Sequence, residues 1–482
     1  MSVKPYWQNF INNEWVDGDA GKIQLEDPAT GEFLAEMACA GKADVDRAVS
    51  AARKCHDSGE LQSMRPVERG RLVREMGSYL LANLEEISLV HCHDSGKPLW
   101  EAKLEVTNAA RYFEYYGNQA ETLEGKSIPL GAGYTDFTVH EPYGVSAQII
   151  PWNFPLEIAA RSIACAITTA NSCVVKTAEL DPLSSTYFGH AALSAGLPPG
   201  AVNIIAGYGQ EAGAALAAHH DIDHLVFTGS VETGGRVAAS AAANIVPSVL
   251  ELGGKSAAII CKDANLDQVL ASVRKGIFTN AGQVCSAMSR AVVHKDRHDE
   301  FVQRAAELAG SISVGPGIER TEFGLNMGAM ISQKQRDRAY SLCTQAQKSG
   351  ARLLSGGNRL NRPGWFLQPT ILDQVSANDE IAQTEVFGPV LTVIEYSEDQ
   401  EAIEIANSTR YGLVGGIFTE DLNRAMNAAS RMKAGQIFIN EWFAGGVETP
   451  FGGYGKSGYG REKGREALFN YVQTKNVAIA LK

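Results

Sequence analysis

The chain has no Cys-x-x-Cys pair and no framework spacing. Its eight cysteines, Cys39, Cys55, Cys92, Cys165, Cys173, Cys261, Cys285 and Cys343, lie scattered through 482 residues. That excludes a disulfide-stapled scaffold and suits a reducing compartment. No run of about 20 apolar residues is available to span a bilayer. The first residues, Met1-Ser2-Val3-Lys4-Pro5-Tyr6-Trp7-Gln8-Asn9-Phe10, carry neither the apolar core of a signal peptide nor an Arg-rich amphipathic pattern. A cytoplasmic protein is therefore expected. Basic charge is also scarce, 43 Lys and Arg against 55 Asp and Glu for a net charge of −12. Nucleic acid and anionic membranes need a basic face to release counterions, so neither is expected as a partner.

What is present is an ordinary soluble composition, 45% hydrophobic and 20% charged, over a length that exceeds a single core. Two or three domains are expected. Residues 7–40 read as short strands broken by turns such as Asp27-Pro28-Ala29-Thr30-Gly31, and 42–124 as helices, with Asp44 and Pro66 as start signals. Residues 125–143 resemble a protruding hairpin, which needs a partner along its edges. From 145 the rhythm alternates strands (145–150, 172–176, 201–205, 224–228, 247–251) with helices (158–169, 184–195, 210–218, 234–243). Such alternation implies an α/β fold with a parallel sheet, which binds nucleotides at the carboxyl ends of its strands. A second alternating block runs from 256 to about 440, and a lone strand at 471–481 suggests an oligomer interface with the 125–143 hairpin.

Six stretches carry possible chemistry. In Thr279-Asn280-Ala281-Gly282-Gln283-Val284-Cys285-Ser286, small and amide residues surround one thiol, and Cys285 is either a nucleophile or one more buried cysteine. In Pro151-Trp152-Asn153-Phe154-Pro155 two prolines stiffen a strand end, where the Asn153 amide either stabilises an oxyanion or orders its own turn. Lys176 and Glu179, at another strand end, suit sugar hydroxyls or a surface ion pair. Phe227-Thr228-Gly229-Ser230 opens a helix without the Gly-x-Gly-x-x-Gly fingerprint and is either a phosphate site or an ordinary turn. Glu251, between apolar residues and a glycine pair, is either a general base of raised pKa or the partner of Lys255. Glu385 and Phe387 share one side of an extended segment, fit to hold a ribose and a flat ring or to pack a core.

In their order along the chain, together with Pro450-Phe451-Gly452-Gly453, these stretches resemble the aldehyde dehydrogenase superfamily over 15–475. The resemblance implies a Rossmann-type dinucleotide-binding domain (1–123 and 144–253), an α/β catalytic domain (254–450) and a small β oligomerisation element (124–143 and 468–482) that makes a homodimer or homotetramer. It implies that Cys285 attacks the aldehyde, that Asn153 and the Cys285 N–H hold the oxyanion, and that Glu251 activates the hydrolytic water. Trp152, Lys176, Glu179, Gly209 and Gly213 would bind the cofactor with Phe227, Gly229, Ser230, Leu252, Glu385 and Phe387. A carboxylate at Glu179 accepts ribose hydroxyls and repels a 2′-phosphate, so NAD is favoured over NADP. No metal is expected.

The chain departs from the family pattern behind Asn153, where Ser162 stands at the site of a relay lysine. Arg161 either faces the substrate tunnel and selects an anionic aldehyde or pairs with Glu157 one turn earlier. Phe154, Trp442, Phe443 and Phe451 are expected to line the tunnel, favouring a flat or apolar substrate segment. The reading is an NAD-dependent oxidation of an aldehyde to a free acid. The alternatives are acyl transfer to coenzyme A, whose enzymes generally lack the Glu251 base, and a non-catalytic scaffold.

Overall fold

The computed structural model describes residues 3–319 and 326–481. Residues 1–2, 320–325 and 482, which the spans above include, lie outside it. Two large sheets organise the chain. The first has eight strands in the order Gly458–Tyr459, Ser248–Leu252, His224–Gly229, Val145–Ile149, Ser172–Thr177, Val202–Ala206, Asn9–Ile11 and Glu14–Val16. Its five inner strands are parallel, and the short strands at its margins are antiparallel. Val145–Ile149 is buried at every position. Strands covered on both faces lose the in-out alternation of an antiparallel sheet. Its two polar residues bond internally, Gln148 Nε2 donating to Ser162 O at 3.0 Å and Ser146 Oγ meeting His224 Nδ1 at 3.1 Å, while Gln148 Oε1 is left without a hydrogen-bond partner among the described residues.

From Val145–Ile149 the chain builds outward through Ser172–Thr177 and Val202–Ala206, then returns to the other side for His224–Gly229 and Ser248–Leu252. That reversal opens a crevice at the carboxyl ends of the strands, the usual ligand position in such sheets. The second sheet has the order Arg352–Ser355, Thr370–Asp373, Val390–Tyr396, Arg290–His294, Ala257–Ile260, Val414–Phe418 and Gln436–Ile439. All its pairings are parallel except the outermost, between Arg352–Ser355 and Thr370–Asp373. Helix Pro155–Thr168 starts with a proline at its first position, where the missing N–H has no intrahelical partner to lose, and packs along helix Leu99–Gln119.

Two expectations change. Asp44 lies in the first turn of helix Lys42–Asp57 but Gly41, not Asp44, occupies the cap, and the buried Asp44 carboxylate accepts the Asp19 N–H at 2.7 Å and pairs with Arg47. The terminal strand Val472–Ala480 is not unpaired, because it runs antiparallel to Tyr134–Pro142 within the same chain. It still forms the margin of its three-stranded sheet, and most of its residues are exposed. Among the described residues no helix is long and apolar enough to cross a membrane, and no His, Cys, Asp and Glu cluster could hold a metal ion.

Candidate active site

Helix Leu266–Ile277 ends in a turn, Thr279–Gly282, in which Asn280, Ala281 and Gly282 have φ of 49°, 50° and 71°. Left-handed backbone is costly for residues with a Cβ and persists only where the surroundings hold it. Glycine is required at 282, where a Cβ would sit 2.1 Å from the Gly388 carbonyl oxygen. The holding contacts are dense. Asn280 N–H donates to Glu101 Oε2 at 2.9 Å, and Asn280 Nδ2 donates to the Asn153 carbonyl at 2.8 Å. Gln283 Nε2 returns to Asn280 O at 3.1 Å, while its Oε1 accepts the Ile331 N–H at 3.0 Å. This turn delivers Cys285, the one cysteine of the eight that is not fully buried.

Cys285 opens into a cavity of about 330 Å³ shared with Asn153, Glu251, Arg161 and the rings of Phe154, Phe443 and Phe451. Burial pushes the thiol up to about 12, against the pull of Arg161. The resting group is therefore a thiol that must lose its proton to react. Asn153 Nδ2 donates to the Gln283 carbonyl at 3.0 Å, which ties the amide to the cysteine loop. Glu251, on strand Ser248–Leu252, is 2% exposed, and neither carboxylate oxygen has a hydrogen-bond partner. Burial, reinforced by the nearby Glu462, holds it well above the usual carboxylate range. It does not pair with Lys255, whose own ammonium is buried without a hydrogen bond and is pushed down to about 7 by burial and Arg290.

Arg161 lines the cavity but does not pair with Glu157. It forms a buried ion pair with Glu462 and reaches Thr228 Oγ1 at 3.5 Å, whereas Glu157 accepts from Asn108 Nδ2 at 2.8 Å. Burial opposes the guanidinium charge, but Glu462 more than offsets it and raises the group. Ser162 Oγ also approaches Glu462 Oε1 at 3.4 Å.

The residues expected at the cofactor lie on or just beyond the carboxyl ends of the first sheet's strands, or across from them. Lys176 Nζ meets Glu179 Oε2 at 3.2 Å; Lys176 is buried, so the pair is no surface bridge. Gly209 and Gly213 bound a π-helical turn, and a Cβ on Gly209 would meet no atom within 4 Å. Gly229 lies under the Phe227 ring, where a Cβ would approach within 2.5 Å. Ser230 caps helix Val231–Ala243, its Oγ accepting the Thr233 N–H at 3.2 Å. Leu252 fills the space over Gly234. From the second half of the chain, Glu385 Oε1 accepts the Gly254 N–H at 2.9 Å, and burial pushes this carboxyl up to about 7. Phe387 stands edge-on to Trp152 with ring centres 5.2 Å apart. The open space at Gly209, the capped helix start and the carboxylates at two points suit a dinucleotide, with its phosphates near a helix N-terminus and its sugars on acids.

The profile of the aldehyde dehydrogenase family matches residues 15–477. The chain belongs to this family. It is 40% identical to the mitochondrial benzaldehyde dehydrogenase of Antirrhinum majus, covering 99% of this chain and 89% of that protein. A crystal structure of a putative aldehyde dehydrogenase from Burkholderia cenocepacia superposes with a TM-score of 0.96 at 42% identity, covering 98% of this chain and all of that one. The NAD+ complex of a Bacillus cereus aldehyde dehydrogenase gives a TM-score of 0.97 at 36% identity over both full chains.

Within this aldehyde dehydrogenase, one expected tunnel residue is elsewhere. Trp442 is fully buried, packs on Phe438, and donates Nε1–H to the Ser286 carbonyl at 3.0 Å. Its size suggests a wall, but its ring faces the core and supports the cysteine loop from behind. Sequence reasoning also passed over Glu462, Lys463 and Tyr112, of which Lys463 and Tyr112 line the cavity and Glu462 pairs with Arg161 behind it. Three consecutive charges, Arg461-Glu462-Lys463, set between Gly460 and Gly464 were the available signal for Glu462 and Lys463.

Proposed function

We propose that the protein oxidises an aldehyde to the free carboxylic acid with NAD, the aldehyde being bound covalently to Cys285. Cys285 Sγ loses its proton to solvent and attacks the carbonyl carbon, and the oxygen becomes the oxyanion of a thiohemiacetal. Asn153 Nδ2 and the Cys285 N–H stabilise that charge; such preorganised donors contribute most where charge develops in a dry site. NAD, when bound, supplies the hydride acceptor. Glu251 then takes a proton from the water that hydrolyses the thioester, regenerating the thiol. The observation that carries this reading is that one partly open cysteine and one carboxylate with no hydrogen-bond partner line the same cavity.

For the cofactor, Lys176 and Glu179 would hold the adenine ribose, Gly229 and Ser230 the pyrophosphate, and Glu385 and Phe387 the nicotinamide ribose, in the two domains delimited above. A carboxylate at Glu179 favours NAD over NADP, and the Bacillus cereus relative solved with NAD+ supports the choice. For the substrate, Arg161 is already neutralised by Glu462, while Phe154, Phe443 and Phe451 supply flat apolar wall. This favours a neutral aromatic aldehyde over an anionic semialdehyde, as does the 40% identity to a benzaldehyde dehydrogenase. The exposed margin strand Val472–Ala480 would be covered in a homodimer or homotetramer, and a cytoplasmic setting fits the reduced cysteines.

The test is initial-rate NADH formation with a panel of neutral aromatic and anionic aldehydes. Wild type is expected to prefer the neutral ones, and Cys285→Ala to lose all oxidation while still binding NAD. An active Cys285→Ala variant refutes the nucleophile; strict dependence on coenzyme A refutes the hydrolytic reading.

A further inference from the structure

Helix Leu99–Gln119 buries two carboxylates one turn apart, Glu101 and Glu105, which are 5% and 2% exposed. Residues four apart share a helix face, so both side chains are presented to the same neighbours. Those neighbours are the two loops that meet at the cavity. Glu105 Oε1 accepts the N–H of Leu156 at 3.0 Å and of Glu157 at 3.4 Å, and so caps the helix that begins directly after Asn153 and Phe154. Its other oxygen is held by His91 Nε2 at 2.8 Å and by the Lys97 ammonium. Glu101 Oε2 accepts the Asn280 N–H at 2.9 Å, at the first left-handed residue of the cysteine turn.

The two carboxylates differ in how well the fold compensates them. Glu105 is ion-paired, whereas among the described residues Glu101 has one hydrogen bond, no ion pair, and an Oε1 with no hydrogen-bond partner. A buried carboxyl so poorly matched adds little to stability, because its desolvation offsets the one hydrogen bond it accepts. What Glu101 does provide is an anchor for a relay of hydrogen bonds. Asn280, fixed by Glu101, donates from Nδ2 to Asn153 O at 2.8 Å and to Gln283 O at 3.3 Å, and Asn153 Nδ2 donates to that same Gln283 carbonyl at 3.0 Å. The strained turn, the Asn153 amide and the chain leading to Cys285 are thus pinned to one helix.

We propose that Glu101 and Glu105 are positioning residues that fix the Asn153 amide relative to the Cys285 thiol, Glu101 by holding the Asn280 N–H and Glu105 by holding the start of helix Pro155–Thr168. The proposal rests on the reading of Cys285 as nucleophile and Asn153 as oxyanion donor. Neither glutamate touches the aldehyde, and their effect is on the geometry of the groups that do. Displacing reacting groups by about 1 Å costs on the order of 100-fold in rate.

The experiment compares wild type, Glu101→Met, Glu101→Gln and Cys285→Ala for kcat, KM for aldehyde, NAD affinity, the rate of Cys285 alkylation by iodoacetamide, and Tm. Methionine fills the same volume and removes the poorly matched carboxyl but leaves the Asn280 N–H without its acceptor, so Glu101→Met is expected to fold with a Tm within a few degrees of wild type, yet to lose about 10- to 100-fold in kcat with NAD affinity within twofold. Glu101→Gln keeps a carbonyl to accept the Asn280 N–H and is expected to recover kcat to within about threefold of wild type. A Glu101→Met enzyme with wild-type kcat and alkylation rate overturns the proposal. So does a Glu101→Gln enzyme as slow as Glu101→Met, since that would make the charge and not the acceptor the relevant property. Cys285→Ala separates the two levels: if it stays active, the site reading itself has failed; if it is dead while Glu101→Met is normal, only the positioning role has failed.

Discussion

The two loops that meet at the cavity are built in opposite ways. Pro151-Trp152-Asn153-Phe154 follows a strand buried on both faces and runs straight into a helix with proline at its first position, so most of its shape comes from its own sequence. The cysteine loop has three consecutive left-handed residues and takes its shape from Glu101, Asn153, Ile331, Trp442 and Gly388, none of them within 40 residues of it. The oxyanion side therefore has a largely local backbone shape that Glu105 and Asn280 fix in place, and the nucleophile side is a strained turn whose shape itself depends on long-range contacts. Strain at functional sites is held by such over-determination.

The contrast breaks most severely at Gly282. A Gly282→Ala change places a Cβ 2.1 Å from the Gly388 carbonyl, at φ of 71°. Loss of about 2 to 4 kcal/mol of stability and of nearly all activity is expected, read by urea unfolding and NADH formation. A wild-type unfolding midpoint would show that the turn relaxes freely. On the oxyanion side, Asn153→Ala is expected to lower kcat by about 100- to 1000-fold while Tm changes by only a few degrees. Equal damage to stability and rate would place Asn153 among the residues that hold the loops together.

A smaller effect sharpens the long-range side. Trp442→Phe keeps the packing but removes the N–H bonded to Ser286 O, leaving a buried carbonyl without its donor. The expected cost is about 1 to 3 kcal/mol with a several-fold fall in kcat, checked by denaturant titration and steady-state kinetics. An unchanged rate would detach Trp442 from the cysteine loop.

The buried acids give a pH prediction whose sign is unusual for carboxylates. Glu385 and Glu157 are pushed up to about 7 and Glu101 to about 8 by burial, and Glu251 is raised for the same reason. At these carboxyls the folded chain therefore binds more protons than the unfolded chain between the ordinary carboxylate range and about pH 8, whereas at His56, His91, His190, His219, His224 and Lys255, all lowered by burial, it binds fewer. Stability from the carboxyls is complete below about pH 4 and is lost as pH rises through 7 to 8. Unfolding free energies measured from pH 5.5 to 8.5 should show the Glu101→Met variant gaining stability relative to wild type as pH rises through about 8, where wild type loses the contribution of Glu101. A slope that is identical in the two proteins would mean that Glu101 does not titrate in this window.

Much of this architecture can be read from sequence because its causes are local. Apolar strands, turn glycines and capping residues mark the parallel sheet, and the glycine-rich strand ends at Gly229-Ser230 and Gly253-Gly254 mark the crevice. Cys285, Glu251 and Asn153 stand out because a lone thiol, acid or amide among small residues is chemically conspicuous. Glu101 and Glu105 were invisible, since a helix with acids four apart reads as a solvated face until their burial is known. Trp442 was misplaced for the converse reason: a large aromatic beside a tunnel residue gives no sign of which way its ring turns. Arg161 could not be settled either, because its partner Glu462 lies 301 positions away and only the fold brings the two together.

The central claim, that Cys285 carries the acyl group and Glu251 releases it, is tested most directly by pre-steady-state NADH formation in Glu251→Gln with intact-protein mass measurement. A burst of about one NADH per active site, followed by turnover slowed by about 100-fold or more and an acyl mass on Cys285, is the predicted result. Full steady-state turnover with no burst and no adduct would contradict it.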